Sequence, residues 1–125
     1  WIQKGGIAMR YGVGVGRAGL EFQGDAVIGR KAKWPNWRPT DEMIERDPQT
    51  YARFAEGVPG GPENPLGSRA LYLYQGGVDT YYRIHGTTEP RSIGQSVSNG
   101  CIRMINAHVE DLYDRVPVGT RVTVL

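Results

Sequence analysis

The chain has 125 residues, room for one domain, and its 39% hydrophobic and 22% charged content suits a packed core and argues against disorder. Fifteen Lys and Arg stand against thirteen Asp and Glu; the basic residues are scattered, so no nucleic-acid patch is expected. No run approaches the roughly 18 apolar residues of a membrane span, and a single cysteine, Cys101, excludes an internal disulfide.

The partial alternation of Ile7 to Val15 predicts a strand, and Leu20 to Ile28 a second, joined through a hairpin turn at Arg17-Ala18-Gly19. Gly14 to Gly19 matches GxGxxG, but a strand pattern follows where a dinucleotide site needs a helix N-terminus, so a glycine-rich hairpin is the reading taken. An irregular loop is expected from Gly29 to Pro39. Its Trp34 and Trp37 suit either stacking on a ligand or a small core of their own, and Lys31, Lys33 and Arg38 either solvation or an anionic polymer. Thr40-Asp41-Glu42 reads as a helix start that Pro48 stops, with one more helical turn over Tyr51 to Phe54. Residues 57–68 have loop composition throughout and are a candidate functional loop.

Ala70 to Tyr74 and Thr80 to His85 read as strands joined by a Gly-Gly turn. Asn106 is expected to cap a helix whose Val109, Leu112, Tyr113 and Val116 share one face, with Pro117 and Gly119 ending it. His108, in the first turn of that helix, reads as a surface residue. Arg121 to Leu125 closes the chain as a strand. The expected architecture is therefore mainly β with one or two short helices.

Cys101 sits in Ser98-Asn99-Gly100-Cys101-Ile102-Arg103, with His85 sixteen residues upstream. A free cysteine with a pKa near 8.5 is only slightly ionised at neutral pH, and a neighbouring imidazole can leave a reactive thiolate–imidazolium pair. Gly100 lets a substrate approach the backbone and leaves the Gly100 and Cys101 N–H groups free to hold an oxyanion. The alternative is a buried structural thiol. One cysteine and two histidines make a structural zinc site improbable.

Ile84-His85-Gly86-Thr87, Pro90, Ser92-Ile93-Gly94 and Ser98 through Met104 resemble the signature of YkuD-type L,D-transpeptidase catalytic domains. The resemblance is strong over residues 66–125 and extends more loosely to the Gly-rich opening and to Ile28-Gly29-Arg30 with Trp34-Pro35. It implies a YkuD-like β-sandwich or barrel-like fold over residues 1–125, with further residues expected before Trp1 because the chain opens without Met. It implies that Cys101 is the nucleophile and His85 its base, oriented by the Gly86 carbonyl, with the Gly100 and Cys101 amides as oxyanion hole. A tyrosine hydroxyl can contribute there; Tyr72, Tyr74, Tyr81 and Tyr82 are candidates, and Tyr82 and Trp34 are carried as substrate-binding residues. Arg103 is expected to hold a stem-peptide carboxylate or a structural salt bridge, Ser98 to shape the loop, and Asn99 stands where many members have His. The implied substrate is peptidoglycan: a tetrapeptide stem loses its terminal D-Ala, and an amine of another stem, of an envelope protein or of a D-amino acid takes the acyl group. No metal or cofactor is implied, and the compartment implied is the periplasm or cell envelope. A hydrolase using the same thioester, and a catalytically silent wall-binding module, are the alternatives.

Overall fold

The computed structural model describes residues 1–16, 22–98 and 101–125. Its strands are β1 (Ile2–Lys4), β2 (Ile7–Met9), β3 (Val15–Gly16), β4 (Gly24–Lys33), β5 (Arg69–Gln75), β6 (Val78–His85), β7 (Ser96–Ser98), β8 (Ile102–Arg103) and β9 (Arg121–Val124). The helices are α1 (Asp41–Arg46), α2 (Pro48–Tyr51) and α3 (Asn106–Arg115), with 3-10 turns at Ala52–Phe54 and Pro90–Ser92. The mainly β expectation holds, with one more short helix than expected.

The centre is a five-stranded sheet in the order β8-β6-β5-β4-β9, antiparallel except where β8 runs parallel to β6. The β5–β6 hairpin turns at Gly76 and Gly77, whose φ values of 60° and 79° are the left-handed pair that a two-residue hairpin turn requires. Ala26, Ile28, Leu71, Leu73, Tyr82 and Ile84 point to one face of the sheet. There they pack against Val109, Leu112 and Val116 of α3 and against Met104. The Lys31 ammonium closes the far end of α3 by donating to the carbonyls of Tyr113 (2.7 Å) and Val116 (3.0 Å), where a cation also complements the helix dipole.

Several expectations are corrected. The opening strands do not form a hairpin with each other: β3 pairs parallel with β7, and β4 pairs with β5 and β9. The turn expected at Arg17-Ala18-Gly19 lies outside the described residues. The expected loop from Gly29 begins only after Lys33, because Arg30 to Lys33 pair with Tyr72 to Arg69 beyond a bulge at Gly29. Gly29 is needed there, since a Cβ would stand 2.4 Å from the Tyr74 ring. Pro48 opens α2 at its first position as well as ending α1. Residues 57–68 are tied into a compact loop: buried Asn64 donates to the carbonyls of Val58 (3.0 Å) and Pro59 (3.1 Å) and accepts from the Leu66 amide (2.9 Å).

Candidate active site

Alternation along β6 turns Tyr82 and Ile84 into the core and leaves Arg83 and His85 on the opposite face. The β6–β8 register sets Ile84 beside Ile102 and His85 beside Arg103, so Cys101, one residue earlier, comes level with Arg83. His85 thus ends β6, and Cys101 immediately precedes β8, the strand beside it.

His85 is buried, and its Nδ1 lies 2.5 Å from the Gly86 carbonyl oxygen. A carbonyl oxygen only accepts, so Nδ1 carries the proton and Nε2 keeps its lone pair. Burial lowers the pKa of His85; the Gly86 hydrogen bond raises it, and the guanidinium groups of Arg103 and Arg83 lower it further, to about 4. Burial pushes the Cys101 thiol up, against a backbone hydrogen bond and the positive charge from Arg83. At neutral pH the resting pair is therefore a thiol and a neutral imidazole, not the thiolate–imidazolium pair expected from the sequence. The reason is desolvation, which penalises both charged forms.

The turn after His85 is built around Asn106. Its Oδ1 accepts from the Ser68 amide (3.2 Å) and the Thr87 amide (3.1 Å), joining the chain entering β5 to the chain leaving β6. A Cβ on Gly86 would meet that oxygen at 2.0 Å, so the residue after His85 has to be glycine. The sequence suggested Asn106 as a helix cap; Ile105 occupies the cap position, and the Asn106 carboxamide holds the His85 turn instead. Nothing in the local sequence signals this, because the partners lie 19 and 38 residues away.

Arg103 is buried, and its Nη2 donates to the carbonyls of Gln95 (3.1 Å) and Ser92 (3.4 Å). Its backbone exchanges two hydrogen bonds with Gly14, and a Cβ there would stand 2.4 Å from the guanidinium. The structure corrects the salt-bridge expectation for Arg103: it anchors the loop between His85 and Cys101 by its carbonyls, with no carboxylate partner among the described residues. It also explains Gly14 without a dinucleotide.

Tyr82 is corrected as well: its ring is 7% exposed in the core beside Phe22, on the face away from His85. Trp34 is 46% exposed, and its carbonyl is where a Gly60 Cβ would fall. Trp37 makes edge contacts with Tyr51 and Phe54, so of the two tryptophans it is Trp37 that packs into a small local core. Arg38 is held by Asp41 (3.0 Å) and the Ala55 carbonyl (2.7 Å), and Lys31 by α3. His108 is exposed, with its ring 6.1 Å from that of Tyr11. Asn99, Gly100 and the side chain of Ser98 lie outside the described residues, and with them the Gly100 amide of the expected oxyanion hole.

The sheet therefore carries a buried, neutral imidazole of fixed tautomer at the end of β6 and a thiol just before the adjacent strand β8, the two group types that a cysteine acyltransferase or hydrolase uses. The chain matches the L,D-transpeptidase catalytic domain, YkuD, over residues 1–124, and it belongs to that family. It is 40% identical over 119 residues to the probable L,D-transpeptidase ErfK/SrfK of Escherichia coli K12, covering 90% of this chain and 36% of the relative. The chain thus spans about a third of the length of the curated relatives it matches. Among solved structures, a protein of Brucella melitensis described as a probable carnitine operon oxidoreductase is 66% identical. That match has a TM-score of 0.54 and covers 89% of this chain and 69% of that one. The catalytic domain of the Enterococcus faecium L,D-transpeptidase acylated by ertapenem shares the fold at 19% identity, with a TM-score of 0.65, over 98% of this chain and 84% of that one. Among the described residues no helix is long and apolar enough to cross a membrane.

Proposed function

We propose that this domain is a peptidoglycan L,D-transpeptidase in the periplasm or cell envelope, with Cys101 as nucleophile and His85 as general base and acid. The observation that carries the reading is the His85 Nδ1–Gly86 carbonyl hydrogen bond, which leaves Nε2 as the free base on the strand next to Cys101. The Cys101 sulfur attacks the carbonyl carbon of the diamino acid at stem position three. The S–C bond forms, the amide C–N bond to the terminal D-Ala breaks, and the thiol proton passes through Nε2 to the leaving amine. An amine then attacks the thioester, returns its proton through His85 to the sulfur, and leaves with the acyl group. The acceptor is another stem, a lysine of an envelope protein or a free D-amino acid.

Because an isolated imidazolium is disfavoured at His85, proton transfer accompanies attack rather than preceding it. The backbone amides of Gly100 and Cys101 hold the oxyanion, and the chemistry needs no metal or cofactor. A purified tetrapeptide muropeptide incubated with the protein tests this by mass spectrometry. Cross-linked dimer with loss of one D-Ala, absent with Cys101→Ala, is the expected result. Turnover that persists in Cys101→Ala overturns the assignment of the nucleophile, and tripeptide without any transfer product moves the reading to a hydrolase.

A further inference from the structure

The face of the sheet that carries His85 also carries a row of charge. Arg30 of β4, Tyr72 of β5 and Arg83 of β6 are neighbours in register. The Arg30 guanidinium lies 3.8 Å from the Tyr72 ring centroid and that of Arg83 lies 4.5 Å from it. Arg83 is clamped from its own strand by Asp79, with contacts of 2.6 Å and 3.1 Å to the two carboxylate oxygens. The burial of Asp79 opposes its ionisation, but the hydrogen bonds from Arg83 and the Tyr81 amide and the charge of Arg30 outweigh that and hold its carboxyl below the usual range. Arg30 is exposed and has no carboxylate partner among the described residues. The row thus holds two guanidiniums and one carboxylate, bonded to Arg83 alone, and it ends level with Cys101.

We propose that Arg30 and Arg83, braced on Tyr72, form a subsite beside Cys101 that binds a free carboxylate of the peptide being acylated onto it. The inference rests on the transpeptidase reading for the identity of that peptide. It rests on the register, the stacking and the unmatched charge for the subsite itself. A guanidinium lying on an aromatic face is weakly hydrated and pre-ordered, and its planar fork still fits a carboxylate through two parallel hydrogen bonds. Placing two cations on one buried ring has a repulsive cost that a row built for packing alone would avoid with apolar side chains. The donor stem offers the terminal carboxylate of the leaving residue close to the scissile carbonyl, and a second, side-chain one where the diamino acid is itself dicarboxylic.

The test needs no turnover. Iodoacetate and iodoacetamide alkylate a thiolate by the same displacement of iodide and differ in one carboxylate. The ratio of their rates on Cys101, read by intact mass, reports the subsite, because changes in thiol reactivity cancel in it. Arg83→Gln is expected to lower the iodoacetate-to-iodoacetamide ratio about ten-fold, the scale of one charge-assisted hydrogen bond, and Arg30→Ala about three-fold. Asp79→Asn is expected to raise it. An unchanged ratio in Arg30→Ala overturns the proposal even where Arg83→Gln fails to fold, since Arg30 is exposed. These outcomes stand whether or not the protein cross-links stems, so failure of the subsite and failure of the transpeptidase reading are separable. With stem donors, amidating one carboxylate at a time identifies the one bound: its amide raises KM in the native protein and removes the effect of Arg30→Ala. Equal KM for the free acid and both amides overturns the proposal.

Discussion

The two faces of the β5–β6 hairpin are built on opposite rules. Toward α3, Leu71, Leu73 and Ile84 are buried among Val109, Leu112 and Met104, and any apolar group of about the right volume would serve. On the other face Ala70, Tyr72, Arg83 and His85 are equally inaccessible or nearly so, yet the side chains there are held by particular partners: the Gly86 carbonyl for His85 Nδ1, Asp79 for Arg83, and two guanidiniums on the Tyr72 ring. Hydrophobic burial is non-directional and scales with area, whereas a buried polar group is tolerable only in one geometry. Apolar packing is therefore concentrated on one face and the proposed chemistry on the other, and substitutions should separate the two.

Cys101→Ala should separate them most sharply. It should lower transfer by at least about 10⁴-fold, as removal of a nucleophile does, while leaving the thermal midpoint nearly unchanged. A large loss of stability instead would mean that the thiol is a packing group. On the opposite face, Leu112→Ala should cost about 2–4 kcal/mol in denaturant unfolding and leave the activity of the still-folded fraction intact.

His85 belongs to both accounts, and pH should show it. With a folded pKa of about 4 against an ordinary value of 6.5, the unfolded chain binds the proton more readily. That contribution to stability is full above about pH 6.5 and is lost as pH falls toward 4, on the order of 3 kcal/mol. His85→Asn should flatten the thermal midpoint across that window. In the native protein kcat/KM should hold down to about pH 5 before falling; a fall centred near 6.5 would show an imidazole in contact with water. Gly86→Ala forces the Asn106 oxygen or the His85 turn to move, so it should cost about 1–3 kcal/mol and reduce activity further than stability alone explains. The smallest effect is expected from Lys31→Met, about 1 kcal/mol in unfolding with unchanged KM, because Lys31 serves the end of α3 rather than the site.

Much of the apolar face was legible in the sequence. ALYLY and TYYRIH alternate at the strand period, Gly76-Gly77 demands a tight turn, and the Val109–Val116 spacing marks the buried stripe of α3. Cys101, His85 and Gly86 stood out through their spacing and their likeness to a known family. The polar face was far less legible. Residue pattern places Arg30 in a loop because Gly29 reads as a strand end, whereas Gly29 is a bulge that gives room to Tyr74. Tyr82 alternates with Ile84 and so belongs to the core face, but the resemblance alone does not choose among the four tyrosines, and only the pairing of Tyr72 with Arg83 and Arg30 shows which ring lies on the polar face.

The sequence by itself determined the family, the central hairpin and α3, and it supplied Cys101 and His85 as the proposed pair, because these depend on local spacing and on a contiguous motif. Only the tertiary structure decided that Asn106 holds the turn after His85, that Arg103 is spent on backbone carbonyls, and that Arg30, Tyr72 and Arg83 form one row. It also decided that the cysteine and histidine rest uncharged. Each of these follows from burial and from partners brought together across many residues of chain, and neither can be read from the order of residues alone.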